Sequence, residues 1–278
     1  MSPRCGVPTQ RIIGATAALL IGVIGCSQTP RLTPAEAKAK GDALLRTMST
    51  NMAAVQTFAF TADERRQRIG ADGKTSTTTA SRRVAIRRPD RLAFTGKGDA
   101  GEILGWYDGT HITLVSHAHK VWARGPMPAT LDESLDYLAN EYRVQMPTAD
   151  LLYSSPYEAL MTSDTTGGWV DTQKIGDRTC DHLAYQQAVV DWEIWLEPNR
   201  QLPCQLTILY KTQPGRPSTT VTYHGLDSSQ VSNDTFTAKV PDGYERIRIM
   251  RHASVEAPPV PETPGATATS GSAKNPPR

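Results

Sequence analysis

The sequence predicts an α+β domain in which one antiparallel sheet packs against helices, and three observations predict it. The first is a stretch from 168 to 210 in which apolar and polar side chains alternate. The second is a long helix that begins after Thr33, ahead of the strands. The third is a series of turn motifs, such as Asp72-Gly73, that separate further β-prone segments. Alternation of this kind indicates a sheet with one dry face and one wet face.

The stretch from 168 to 210 predicts a meander of consecutive antiparallel strands. Turns are expected at Gly176-Asp177 and Pro198-Asn199, with strands over 179–187, 192–197 and 204–210. The apolar side chains that share one face of these strands are Leu183, Tyr185, Trp192, Ile194, Leu196, Leu206, Ile208 and Tyr210. The opposite face carries Asp191, Glu193 and Glu197, with Trp195 among them. The function therefore depends on what lies against the apolar face.

Three capping boxes predict where helices begin, and they lie at residues 33–36, 130–133 and 155–158. The remaining strands are expected near residues 58–60, 75–80, 84–86, 92–94, 104–106, 112–114, 121–122, 218–223, 235–238 and 245–249, with a break at Pro89-Asp90. The end of the chain, 251–278, is rich in Pro, Ala, Thr and Ser without an apolar period, which predicts a disordered tail. One folded domain is therefore expected over 33–250.

The first residues predict an export signal. Two arginines precede an apolar run from Ile12 to Ile24, which is too short to span a bilayer but suits the core of a signal peptide. Val23-Ile24-Gly25-Cys26 resembles a bacterial lipobox, so we expect a lipoprotein signal peptide over 1–25, acylation of Cys26, and a tether over 26–32. Ser27 favours the periplasmic face of the outer membrane as the destination. The alternative is an ordinary cleaved signal in which the cysteine is incidental.

The charge of the mature chain gives no indication of nucleic-acid binding. The full sequence has 30 basic and 28 acidic residues, and both basic residues of the excess, Arg4 and Arg11, belong to the signal. Two cysteines, Cys180 and Cys204, remain in the predicted domain. Because the strand 192–197 would separate them by about 9–10 Å at ~4.8 Å per strand, and a disulfide needs Cα atoms within ~7 Å, we expect them to be unpaired.

Residue patterns that could carry chemistry are better explained by structure. Gly96 to Gly101 matches GxGxxG, but strands rather than a helix flank it, so a hairpin loop is expected and no dinucleotide site. His111, His117 and His119 could ligate zinc, yet the sequence has no CxxC, HExxH or paired-acid pattern, and no metal or cofactor is predicted. His182 beside Asp181 could act as a base in a hydrolase, but no nucleophile motif accompanies it.

Arginines are concentrated between 65 and 91, and two interpretations stay open. They could bind anionic head groups or the acidic side chains of a partner, or they could form a solvated strand face that discourages association between sheets. The arginines concerned are Arg65, Arg66, Arg68, Arg82, Arg83, Arg87, Arg88 and Arg91.

Several short motifs resemble a bacterial family of predicted periplasmic proteins of unknown function. The motifs are 88–92 (RPDRL), 106–109 (WYDG), 146–152 (MPTADLL), 180–184 (CDHLA) and 191–197 (DWEIWLE), followed by Leu202-Pro203. Cys204 departs from the family pattern, in which a basic residue is usual at this place. The family is similar in architecture to the LolA/LolB lipoprotein carriers, so the resemblance implies a strongly curved antiparallel sheet, a half-barrel closed over by helices, around an apolar cavity.

These observations lead to two hypotheses of function, neither of them enzymatic. The first is an outer-membrane lipoprotein that binds or transfers a lipophilic ligand, either a lipid or the acyl chains of a lipoprotein. Its candidate lining is Phe58, Phe60, Leu92, Phe94, Trp106, Leu114, Tyr185, Trp192, Ile194 and Ile208. The alternative is an envelope scaffold with a filled core and an unidentified protein partner, in which these residues are ordinary core.

Overall fold

The structure is a computed structural model that describes residues 32–250 except 71, 100, 145, 147–148, 201 and 228–230. The predicted signal peptide over 1–25, the acylated Cys26 and the predicted tail over 251–278 lie outside the described residues.

Three helices and twelve strands form the described part of the chain. The helices are α1 (Pro34–Ala54), α2 (Leu131–Tyr142) and α3 (Pro156–Leu160), with 3-10 turns at Ala149–Leu151 and Asn233–Phe236. The strands are β1 (Thr57–Ile69), β2 (Thr75–Arg87), β3 (Arg91–Gly98), β4 (Gly101–Tyr107), β5 (His111–Ser116), β6 (Val121–Pro126), β7 (Thr166–Ile175), β8 (Arg178–Gln186), β9 (Val190–Leu196), β10 (Pro203–Tyr210), β11 (Ser218–Asp227) and β12 (Glu245–Ile247).

All twelve strands belong to one open sheet, in the order β12-β6-β5-β4-β3-β2-β1-β11-β10-β9-β8-β7. The neighbours are antiparallel, except that β12 runs parallel to β6. Two meanders, β1 to β6 and β7 to β11, are therefore joined by the pairing of β1 with β11. The predicted α+β class and the large antiparallel sheet are confirmed.

The two faces of the sheet have different surroundings, and we call them the inner and the outer face. The inner face carries Phe58, Phe60 and the residues in register with them, and it packs against the helices. Leu45 and Met48 of α1 are fully buried in the same apolar cluster as Phe60. Among the described residues, no helix is long and apolar enough to cross a membrane.

The outer face is partly covered by the end of the described chain. Phe236 packs there in a second cluster with Ala93 and Trp106, and the Arg87 guanidinium lies 4.9 Å from the Phe236 ring. The strand predicted over 235–238 is wrong, because this segment forms the 3-10 turn Asn233–Phe236. The segment then reaches the edge of the sheet, where β12 pairs with β6.

The meander predicted between 168 and 210 is confirmed, with strand ends within two residues of those expected. Leu183 of β8 is in register with Ile194 of β9, which is in register with Leu206 of β10. All three side chains are buried in the inner cluster. The acidic residues Asp191 and Glu193 lie on the other face, as the alternation predicts.

Cys180 and Cys204 form a disulfide, so the expectation that they are unpaired is wrong. The strand order behind that expectation is correct, since β9 lies between β8 and β10. The register of β10 is interrupted between Pro203 and Gln205, however, and β9 ends at Leu196 beside this irregularity. A bulge bends the strand and turns the extra residue towards the other face, which brings the two Cα atoms to 6.8 Å.

The predictions from short sequence motifs were partly correct. Thr33 and Thr130 both form the predicted capping boxes. Ser155 precedes α3 but makes no side-chain capping bond, so the third box is wrong. The GxGxxG match is a hairpin loop as expected, because β3 ends at Gly98 and β4 begins at Gly101.

Helix α1 packs very closely on β7, and Gly41 makes this approach possible. A Cβ atom at Gly41 would lie 2.7 Å from Tyr185 Oη, 2.8 Å from Gly168 Cα and 2.8 Å from Trp169 N. Two of these three atoms belong to the backbone and have little freedom to move. The contact therefore requires a residue without a side chain, although glycine is unfavourable within a helix.

We predict that Gly41→Ala destabilises the protein by about 1–3 kcal/mol through overpacking. An exposed helical Gly→Ala change would stabilise it by about 0.5–1 kcal/mol, so the sign of the effect is diagnostic. Urea unfolding followed by circular dichroism measures it, with Thr50→Ala at an exposed position of α1 as the control. A gain of stability in Gly41→Ala would contradict the close packing of α1 on β7.

Candidate functional site

Nine of the ten predicted lining residues lie on the inner face of the sheet. Six of them are buried in one cluster with helix residues: Phe58, Phe60, Leu92, Tyr185, Trp192 and Ile194. Phe94 and Ile208 are partly buried and pack against this cluster. Leu114 is half-buried and lies on β5, two strands from Phe94 on β3. The helices contribute Leu45, Met48, Leu135 and Leu160, among others, to the same cluster.

Trp106 does not belong with the other nine residues. It is in register with Ala93 and Thr113, and it packs with Ala93 and Phe236 on the outer face. A difference of one residue in register exchanges the two faces of a strand. Leu92 and Phe94 face inward on β3, and their partners on β4 are Tyr107 and Gly105. Tyr107 is thus the aromatic side chain of β4 that reaches the inner cluster.

A charged cluster occupies the middle of the inner face, and sequence reasoning did not find it. Glu64 of β1 is only 5% exposed, and its two carboxylate oxygens contact two arginines. Oε1 lies 2.8 Å from Arg66 Nη2, and Oε2 lies 2.9 Å from Arg82 Nε. A buried carboxylate requires partners of this kind, because leaving it unpaired in a low dielectric is very costly. We call these three residues the arginine–glutamate cluster.

Three buried donor atoms around this cluster have no hydrogen-bond partner among the described residues. They are Arg66 Nε, Thr219 Oγ1 and Tyr223 Oη. Thr219 is in register with Arg66, and Tyr223 is in register with Ala62, which lies two residues before Glu64 on the same face. More than 90% of buried polar groups in native proteins are paired. Unpaired donors therefore lie in the two rows that flank Glu64, one on each side of it along the strands.

Asp150, on the 3-10 turn beside the inner face, adds a titratable group to this site. Burial raises its pKa to about 6. Burial also raises the pKa of the Tyr223 hydroxyl, and the charges of Asp150 and Glu64 raise it further. The Tyr223 hydroxyl therefore keeps its proton and remains a donor at physiological pH.

His182 lies on the outer face, and both of its ring nitrogens are engaged. Nδ1 lies 3.1 Å from Asp171 Oδ1, and Nε2 lies 3.0 Å from Glu193 Oε2. The ring stacks on Trp195 with centroids 4.5 Å apart. The side-chain amide nitrogen of Gln173 also lies 3.1 Å from Nδ1. Side chains of the neighbouring strands therefore surround both ring nitrogens.

The carboxylate that the sequence places beside His182 is not its partner. Asp181 faces the other way and accepts a bond of 2.8 Å from Trp169 Nε1. The true partners, Asp171 and Glu193, lie on the neighbouring strands β7 and β9. They could have been found from the strand register, which places Asp171 opposite His182, but not from sequence neighbours.

The histidines considered as zinc ligands have other contacts. His117 Nδ1 lies 2.8 Å from the Tyr244 hydroxyl, and His111 Nδ1 lies 3.0 Å from Thr110 Oγ1. In the part of the chain that the structure describes, no three or more His, Cys, Asp or Glu side chains are grouped as metal ligands.

The arginines between 65 and 91 divide into several groups. Arg66 and Arg82 belong to the inner face, whereas Arg65, Arg68 and Arg83 are exposed. Arg88 is structural, since it donates to the carbonyl oxygens of residues 152 and 153 at 2.8 and 2.9 Å. Neither of the two interpretations of the arginine-rich stretch therefore describes all of its residues.

Comparisons with known proteins identify one family and several distant structural similarities. The family model described as "Predicted periplasmic protein (DUF2092)" matches residues 41–250. An uncharacterized conserved protein from Thermus thermophilus is similar in structure with a TM-score of 0.43 and 8% identity, over 74% of this chain and 98% of that chain.

Two further solved structures are similar to this chain. The MucA/MucB complex of Pseudomonas aeruginosa gives a TM-score of 0.40 at 14% identity, over 72% of this chain and 61% of that chain. A putative outer membrane lipoprotein-sorting protein domain from Vibrio parahaemolyticus gives 0.33 at 10% identity, over 71% and 96%. A search of curated proteins finds no match to this chain.

We predict that Asp150→Asn stabilises the protein at pH 8 but has little effect at pH 4. The folded pKa of about 6 lies above the ordinary value of 3.8, so the wild type loses stability as the pH rises from the ordinary value to the folded one. Since one pKa unit corresponds to about 1.4 kcal/mol, the gain in Asp150→Asn reaches at most about 3 kcal/mol.

Urea unfolding at pH 4, 6 and 8 tests this prediction, with Asp177→Asn at an exposed turn as the matched control. A gain that is the same at all three pH values, or that also occurs in the control, would show that Asp150 ionises freely in the folded state.

Proposed function

Because the chain belongs to the family of predicted periplasmic proteins (DUF2092), we propose that it binds a lipophilic molecule between the inner face of its sheet and its helices. The bound group is an alkyl or acyl chain, and the protein binds it without catalysing a reaction on it. In this proposal the sheet acts as a half-barrel and the helices close over the bound chain.

This proposal rests on two aromatic side chains that are buried between the helices and the sheet and whose polar atoms have no hydrogen-bond partner among the described residues. Tyr185 and Trp192 stack at 4.4 Å between centroids and are 2% and 3% exposed. Neither Tyr185 Oη nor Trp192 Nε1 has a hydrogen-bond partner among the described residues. Each partnerless buried group costs about 1–3 kcal/mol relative to a satisfied one. A purely structural core would be more stable with phenylalanine or leucine at these positions.

The apolar surface continues beyond the part that the helices bury, which supports access for a ligand. Phe94, Leu114 and Ile208 are half-buried, and Ile103 on the same face is 42% exposed. Gly105 leaves room for the Phe94 ring, since a Cβ there would lie 2.1 Å from Phe94 Cε1. An aliphatic chain can first contact these half-buried residues. It can then replace the helices in their contacts with the buried residues of the inner face, with little net loss of buried apolar area.

We also propose that the protein is anchored by acylated Cys26 to the periplasmic face of the outer membrane. The lipobox from Val23 to Cys26 and the serine that follows support this placement. A bound alkyl chain would then lie close to the membrane from which it comes. The short segment 26–32 keeps the domain beginning at residue 33 near its anchor.

One observation favours a second candidate, an envelope scaffold with a filled core. Six predicted lining residues are buried together with side chains of all three helices. In this alternative the partnerless groups are tolerated, the helices do not separate from the sheet, and the function depends on protein partners at the surface.

We predict that a brominated fatty acid quenches tryptophan fluorescence of the full chain carrying Cys26→Ser, and that Trp192→Phe removes most of this quenching. The Cys26→Ser change excludes the protein's own acyl group as a competitor. Trp106→Phe is the matched control, because Trp106 lies on the outer face while Trp192 lies on the inner face. The quenching should therefore persist in Trp106→Phe.

The two candidates differ clearly in this measurement. If the core is permanently filled, the fatty acid leaves the emission of the starting protein unchanged. Equal loss of quenching in both tryptophan variants would indicate adsorption to the surface and would also contradict the proposal.

We predict that cells fed an alkyne-labelled fatty acid incorporate the label into this protein at Cys26. Cys26→Ser should abolish labelling and release the protein from the membrane fraction. Cys5→Ser is the control, since Cys5 lies within the predicted signal and should not affect labelling. Labelling that survives Cys26→Ser would contradict the proposed anchor.

A further inference from the structure

The arginine–glutamate cluster carries a net positive charge in a half-buried place. Two guanidinium groups share one carboxylate, that of Glu64, which leaves one positive charge. Asp150, the other acid of the site, is neutral below its pKa of about 6, so below that pH this positive charge is uncompensated. The Arg66 and Arg82 side chains are 23% and 34% exposed, so a ligand can reach both. Arginine in such a setting is well suited to carboxylate and phosphate groups.

The partnerless atoms beside this charge are all hydrogen-bond donors. Arg66 Nε carries an N–H group, and Thr219 and Tyr223 carry hydroxyl groups, none with a partner among the described residues. Thr219 and Tyr223 are each 1% exposed. An anionic group accepts several hydrogen bonds, so an anion bound at the cluster would offer acceptors to donors that the described residues leave unpaired.

The Arg82 side chain lies over a part of β3 that has no side chains of its own. Its neighbour on β3 is Gly96, and Gly98 is the next residue on that face of the strand. A Cβ atom at Gly96 would lie 3.3 Å from Arg82 Nη1, so the guanidinium lies on the Gly96 backbone and buries it. Gly98 is exposed, so no β3 side chain at these two positions lies between the guanidinium and a ligand.

An apolar row leads away from the charged cluster across the sheet. Arg66 is in register with Thr219, and Thr219 with Ile208. Ile208 is in register with Trp192, and Trp192 with Tyr185. These four strand steps span about 19 Å at about 4.8 Å per strand. The row is thus charged at one end and apolar along the rest, which is the pattern of an amphiphile.

We propose that the arginine–glutamate cluster binds the anionic head group of an amphiphile whose alkyl chain lies along Ile208 and Trp192. The head group is a carboxylate or a phosphate. This inference rests on the proposed binding of a lipophilic molecule and specifies its polar end. Glu64 holds the two guanidinium groups in place, while Thr219 and Tyr223 donate to the head group.

The test uses the full chain carrying Cys26→Ser. It compares amphiphiles that have the same alkyl chain and different head groups, and it compares these amphiphiles with free anions. Dodecanoate and dodecyl phosphate should bind at least about tenfold more tightly than dodecanol, as expected for a hydrogen-bonded charge. Acetate and inorganic phosphate should bind much more weakly than the amphiphiles, because they make no apolar contacts. Isothermal titration calorimetry gives all five affinities.

Tyr223→Phe and Thr219→Val test the site without breaking the Glu64 ion pairs. Each removes a buried hydroxyl that has no partner among the described residues, so the free energy of unfolding should stay the same or increase. The double variant should lose most of the preference for dodecanoate over dodecanol, by about tenfold. Tyr244→Phe is the matched control: it makes the same chemical change on the outer face of the sheet and should keep the preference.

Each failure has a distinct meaning. If dodecanol binds as tightly as dodecanoate, or if the double variant keeps the preference, the head-group site is wrong while binding of an alkyl chain stands. If acetate or inorganic phosphate binds as tightly as the amphiphiles, the cluster is a site for free anions and the inference is overturned. If no amphiphile binds, both the inference and the proposed function fail.

Discussion

The pairing of β1 with β11 is the interaction on which the rest of the structure depends. It joins two meanders that share no other strand pairing among the described residues, and it places β1 in the middle of a twelve-stranded sheet. β1 is 13 residues long and is hydrogen-bonded on both sides, to β2 and to β11. Its inner face begins with Phe58 and Phe60 and continues to Glu64 and Arg66. One strand therefore contributes to both the apolar cluster and the charged cluster.

Much of the fold could be predicted because its determinants are local. The Asp72-Gly73 turn, the capping boxes at Thr33 and Thr130, and the alternation along β8 to β10 depend on residues close in sequence. The pairing of β1 with β11 brings together residues that are more than 150 positions apart, such as Ala62 and Tyr223. Local patterns contain no information about such a contact. The disulfide was missed for a related reason, since it depends on an irregularity in β10 that alternation does not predict.

The candidate site could be predicted only in its apolar part. Alternation indicates which face an apolar residue occupies, and nine of the ten predicted residues lie on the inner face. Trp106 lies on the outer face, because alternation does not give the register between hairpins. Glu64, Arg66 and Arg82 look like ordinary solvated residues of a charged strand. Their inward orientation follows from the register of β1 with β2, which only the structure gives. His182 illustrates the same limit, since its carboxylate partners lie on neighbouring strands.

The inner face combines features that a sequence selected for stability alone would avoid. A buried ion cluster is generally no more stable than well-packed apolar residues of the same volume. Partnerless donors at Thr219 and Tyr223 cost further free energy, and so does Asp150, whose pKa is raised by burial. Unfavourable groups that occur singly can be accidental. Here Thr219 and Tyr223 lie in the rows on either side of Glu64, and the row through Thr219 leads to an apolar surface. This arrangement is the basis of the proposed head-group site.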